Sequence, residues 1–282
     1  MRAAAVASKA PTFYEEITAA TQHFREFGFR SQNQLDEWVA RIRRAALLQL
    51  KTPAETERAL KRALTERYSN LITKAGVLKT MPEVSRFTLD KLKPQLRKEL
   101  DRRILASANL IKLNRAKAID TTLSRFQGWA TAIPAGGSNA PEARADKELM
   151  RKALARMPFE ERRVIIDQSH KMIAALRDTV AVGGGALAGI WNSPWRRQGY
   201  NYREDHKERD EQWYAIRDNW AIEKGLMKPG PNGYLDSIDG PGFLPFCSCS
   251  LQYVFSLNKL PPDMLTKAGM YGVTLKSTAP QS

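Results

Sequence analysis

The sequence predicts a mainly α-helical protein whose C-terminal part is a small α+β module. Three observations carry that expectation. Apolar residues recur every three or four positions through the first 130 residues, as an amphipathic helix requires. The stretch PAGGSNAPE, residues 134–142, interrupts this pattern with a composition typical of a joint. Near the end, FLPFCSCSLQYVF (residues 243–255) alternates with a period of two, the signature of a half-buried strand.

Each element follows in order. Residues 31–50 place Leu35, Trp38, Ile42, Leu47 and Leu50 on one helical face. Thr52-Pro53-Ala54-Glu55 combines a capping hydroxyl, a proline at the first helical position and a glutamate that returns to the cap. A helix therefore starts there, with Leu60, Leu64, Tyr68 and Leu71 as its buried stripe and Gly76 as its stop. Residues 88–127 form a long helical tract, expected to kink or break near Pro94. Beyond the joint come helices over 143–157 and 159–180, the second marked by Val164, Ile165, Met172, Ile173 and Leu176. The division expected is a basic helical domain over 1–134 and a second domain over 143–282, whose short β-hairpin or sheet carries the Cys-x-Cys strand.

Charge restricts function more than fold. The 282 residues hold 45 Lys plus Arg against 30 Asp plus Glu, a net of +15. Residues 1–130 hold 25 of those cations and 13 of the anions, so +12 lies there and +3 in the remainder. Such an excess raises encounter with polyanions, DNA first and an acidic protein surface next. Lys91, Lys93, Arg97, Lys98, Arg102 and Arg103 are the candidate contacts. They lack the interleaved aromatics and the motifs of a dedicated DNA reader, so a solvated helical face is an equal reading. No run of eighteen apolar residues exists, and MRAAAVASKAPTFYEE is too short and polar in its apolar stretch for a signal peptide. The expectation is a soluble protein made in a reducing compartment, with no membrane partner.

Gly183-Gly184-Gly185 invites a phosphate-loop reading but lacks the Gly-Lys-Ser/Thr ending and the preceding strand that such loops need. Its glycines are expected to let the backbone turn or approach a neighbour closely. Cys247 and Cys249, the sole cysteines, fall on the same side of their strand as Leu251, Tyr253 and Phe255, with Ser248, Ser250, Gln252 and Val254 on the other. A disulfide between residues two apart is disfavoured by its geometry. Core packing, a metal and a redox role remain.

The order of motifs from residue 191 onwards is informative. Trp191 or Trp195 comes first, then Arg203, His206 and Asp210 in REDHKERD, then a Gly/Pro-rich loop, LMKPGPNGYLDSIDGPG, and finally Cys247-Ser248-Cys249 before LQYVF. In this the chain resembles the phage Mu F-like head morphogenesis proteins, minor capsid proteins of tailed bacteriophages. The resemblance covers about 90 residues, and 140 with the preceding helices. Glu211 stands where the family often has glycine, and Phe246-Cys247-Ser248-Cys249 replaces its Asn-Cys-Arg-Cys form.

The resemblance implies a virion structural protein acting in head morphogenesis or at the portal vertex, with no established catalytic activity. Its implied partners are the portal, other head or head-to-tail components, and packaged double-stranded DNA. It also brings His206 together with Cys247 and Cys249 as three of the four ligands of a closed zinc site. Asp239, His170 or water would supply the fourth. With residues 205–221 helical, Asp210 lies one turn from His206 and would orient its ring, with Trp213 and Trp220 near the same face. Buried thiols beside a hydrogen-bonded histidine are the other reading, and His23 and His170 read as ordinary helix histidines. The competing functions are a basic DNA-binding protein and, further off, a metal-dependent nuclease using Asp205, Asp210, Asp236 and Asp239.

Overall fold

A computed structural model describes residues 10–73, 76–132, 148–150 and 152–277. Its elements in chain order are α1 (Phe13–Phe27), α2 (Gln32–Gln49), α3 (Pro53–Ile72), α4 (Gly76–Thr80), α5 (Arg86–Ala132) and α6 (Met157–Gly183). There follow β1 (Ala188–Asn192), α7 (Glu204–Glu208), β2 (Trp213–Ala215), α8 (Trp220–Glu223), β3 (Ser250–Val254) and α9 (Lys267–Ser277). The protein is thus mainly helical, with one small antiparallel sheet among the described residues, of strand order β2-β1-β3. No helix among the described residues is long and apolar enough to cross a membrane.

Local chemistry explains the helix starts. Thr12 and Thr52 each close a capping box: the Glu15 and Glu55 backbone N–H groups donate to the threonine hydroxyls at 3.2 Å, and each glutamate accepts from its threonine N–H, at 2.7 and 2.8 Å. Ser31 caps α2. On α2, Leu35 and Ile42 are buried as expected, but Leu47 is exposed, because Ala45 and Ala46 continue the inward face at helical spacing. Helix α5 runs unbroken through Pro94 for 47 residues. Gly76 does not end α3; it begins α4, where a Cβ would come within 2.7 Å of the Asn70 carbonyl.

The chain forms two compact units that do not follow the linear division expected from the joint. One comprises residues 1–60 and 106–164, the other 61–105 and 165–282. Residues 133–147, which include PAGGSNAPE and the start of the expected 143–157 helix, lie outside those described. The first unit is built on Phe13, Ile17, Phe24, Leu35, Ile42, Phe126 and Trp129. In the second, Leu64, Leu96 and Leu100 pack with Met172, Leu176 and Val180 of α6. Apolar stripes on α3 and α5 thus complete the core of the C-terminal part, which is why the composition break is not the boundary.

The triple glycine does what such a run can do without phosphate. A Cβ at Gly183 would lie 2.7 Å from Leu92 Cδ1 and one at Gly184 2.6 Å from Val84 Cγ2, while Gly185 turns the chain at φ +81°. Gly184→Ala is expected to cost about 1–3 kcal/mol through overpacking, read as a lower urea midpoint at unchanged m-value.

Strand β1 pairs with β3 from Ala188↔Val254 to Asn192↔Ser250 and with β2 from Ala188↔Ala215 to Ile190↔Trp213. One sheet face therefore carries Gly189, Trp191, Tyr214, Leu251 and Tyr253. The other carries Ala188, Ala215 and Val254 and packs on Met227, Leu260 and Met264. Val254, expected to face solvent, is buried for that reason.

Candidate metal centre

Cys247 and Cys249 enter β3 from a loop fixed at several points. Phe246 adopts a left-handed conformation, φ +59°, and its N–H donates to buried Asp167 at 2.6 Å. Ser248 N–H donates to the Tyr200 hydroxyl at 3.1 Å, and Arg203 Nη2 to the Pro245 carbonyl at 2.9 Å. The last bond ties the loop to the start of α7. Both sulfurs point to the Trp191 and Tyr214 face, where they are buried and not joined by a disulfide.

Helix α7 delivers His206 to the same place. Its ring is 1% exposed and packs edge-to-face on Trp191 at 5.3 Å. Nδ1 lies 3.6 Å from Cys247 Sγ and 3.5 Å from Cys249 Sγ. The candidate ligand atoms all fall within 4.8 Å of one another, so this cluster can hold a metal ion. A single ring nitrogen offers one in-plane lone pair or one N–H, so hydrogen bonding alone gives no reason for two sulfurs to sit at nearly equal distance from it.

The surroundings favour negative sulfur. The pKa of Cys247 is lowered to about 5, first by the hydrogen bond from the Cys249 thiol and then by the backbone N–H groups of Gly242 and Cys249. Cys249 is pushed up by that same pairing and by burial, since two adjacent thiolates cannot both ionise without a cation. The side chains of Ser193 and Trp191 act on Cys249 in the opposite sense, as donors to its charged form. Neither Trp191 Nε1 nor Ser193 Oγ has an ordinary hydrogen-bond partner. Four donors thus surround the pair of sulfurs.

The expected helix over 205–221 is not formed. Helix α7 ends at Glu208, Glu211 turns the chain at φ +65°, and Trp213 enters β2 because its segment pairs with β1. Asp210 therefore does not orient His206. Its carboxylate accepts from Ser193 N–H at 2.7 Å and from Trp195 Nε1 at 2.8 Å, closing the loop after β1. The carboxylate beside the ring is Asp205, whose Oδ2 lies 3.8 Å from His206 Nε2 and is held by Arg209 at 3.0 Å. Nε2 itself is buried without a hydrogen-bond partner. Neither His170 nor Asp239 joins the cluster. Sequence reasoning missed Tyr200 and Ser193 altogether, for neither has a spacing that announces it.

The other candidates disperse. Asp236 forms a two-bond pair with Arg217 at 2.7 and 2.9 Å, and among the described residues no group of carboxylates converges with Asp205, Asp210 or Asp239. On α5, Lys93 pairs with Asp90 at 2.6 Å, Arg97 with Asp101 at 3.3 Å, and Arg102 and Arg103 with Glu99 at 2.7 Å each. Lys91 and Lys98 are exposed. Six cations stand among these three carboxylates, so the local excess is +3 rather than +6.

Compared with known protein families, curated proteins and solved structures, the chain matches none.

Proposed function

We propose that this chain is a minor head protein of a tailed bacteriophage, of the phage Mu F-like class, whose C-terminal part is built around a structural zinc. The supporting observation is the convergence of His206, Cys247 and Cys249, the residues on which the sequence resemblance rests, in one buried cluster. A tetrahedral zinc with bonds of about 2.3 Å to sulfur and 2.05 Å to nitrogen sets its S···N edges at about 3.6 Å. The Nδ1···Sγ distances of 3.5 and 3.6 Å fit that edge. The donors around both sulfurs fit two thiolates better than two thiols.

In this reading the protein works in the virion, in head morphogenesis or at the portal vertex, and contacts portal and packaged DNA. It performs no catalysis. The test is physical association: the chain is expected in purified virions, bound to the portal ring on co-expression, and as density near the portal vertex in a reconstruction. Absence from particles together with no portal binding would remove the proposal.

The DNA contact carries its own expectation. Affinity for duplex DNA should fall with salt, with little dependence on sequence. Lys91→Gln with Lys98→Gln should flatten the log-log slope by about 1.8, at about 0.9 for each phosphate no longer neutralised. An unchanged slope in that variant would leave these lysines as plain solvated charge.

A further inference from the structure

Within the second unit, a cleft of about 810 Å³ lies between α6 and the sheet face that bears Leu251 and Tyr253. Small-molecule sites commonly enclose about 300–1,000 Å³ and combine apolar walls with a few placed polar groups. Here the walls come from Ile173, Val182, Ile216 and Leu251. Four arginines reach the cleft, and three have carboxylate partners: Arg217 on Asp236, and Arg102 and Arg103 on Glu99.

Arg177 differs from them. Its Nε is buried with no acceptor, and no ion pair engages it among the described residues. A buried N–H left without an acceptor is costly, and such groups call for an explanation. The neighbouring Asp178 does not supply one. Its carboxylate accepts from the Tyr253 hydroxyl at 3.2 Å and makes no ion pair with Arg177, and partial desolvation raises its pKa above the usual carboxylate value.

We propose that this cleft binds a small apolar carboxylate, the acid group on Arg177 and the hydrocarbon body along Ile173, Val182, Ile216 and Leu251. One arginine without a carboxylate partner among the described residues suits one negative charge, and the planar guanidinium fork matches a planar carboxylate. A phosphate dianion would bring a second charge towards Asp218 and Asp236, which also line the cleft. The inference stands whether or not the cysteine cluster holds zinc.

The experiment uses the full chain and anilinonaphthalene sulfonate, an apolar anion that fluoresces when it leaves water. The dye is expected to bind the folded protein and to be displaced by octanoate at least tenfold more readily than by octylamine. Arg177→Gln should weaken octanoate at least tenfold while leaving octanol unchanged. Val182→Trp, at an exposed rim position, should block the dye, octanoate and octanol alike. Near-ultraviolet circular dichroism reports whether each variant is folded. Should Arg177→Gln misfold, the comparison of octanoate with octylamine on the unmodified chain still decides. No dye binding to the folded protein, equal displacement by acid and amine, or a folded Arg177→Gln protein with undiminished octanoate binding would each overturn the proposal.

Discussion

One zinc per chain is the expected result when the protein is purified without chelator and its metal is measured by elemental analysis. His206→Ala, Cys247→Ser and Cys249→Ser should each lower zinc affinity by more than about a hundredfold, beyond the 10–100-fold typical of changes around the ligands. Asp205→Asn should fall within that milder range, because its carboxylate is the one beside Nε2. Asp210→Asn should barely alter zinc, since its bonds go to Ser193 and Trp195. Affinity should drop as pH falls, because both sulfurs must bind as thiolates. Cobalt added to the stripped protein should give the intense visible bands of a tetrahedral thiolate site. A chain that carries no metal as purified, and takes up neither ion afterwards, would leave the sulfurs as core packing.

The second large effect concerns Trp191. Its ring is fully buried, packs on His206 and Tyr214, and lies beneath Arg209. Trp191→Ala should destabilise the fold by about 3–5 kcal/mol through the cavity left behind. Trp191→Phe separates packing from hydrogen bonding, because it keeps most of the ring and deletes the indole N–H beside Cys249. That variant should lose far less stability in urea but bind zinc about tenfold more weakly. If its zinc affinity matches the unmodified protein, Trp191 acts through shape alone.

Local signals are legible in the sequence and non-local ones are not. The cap at Thr52 and the alternation that turns both sulfurs inward are decided by neighbours a few residues apart. The meeting of His206 with the two cysteines could be expected only from the order of motifs, because 41 residues separate it from Cys247. The role expected of Asp210 fails for a physical reason: helical spacing does not hold where β1 offers Trp213–Ala215 an edge to pair with. The bland composition of residues 134–142 also misleads. A joint in composition says nothing about which apolar stripes pack together, and those on α3 and α5 serve the core that α6 completes.

That interleaving has a consequence for how the protein is made. Neither unit is a continuous stretch of chain, so a ribosome releasing residue 60 has finished neither of them. The first must wait for residues up to 164, and the second for β3 at Ser250–Val254. Helix α5, shared by both, is synthesised before either core can close around it. Nascent chains halted shortly after residue 134 should therefore be protease-sensitive throughout, and resistance should appear only once α6 and then the cysteine strand have left the exit tunnel.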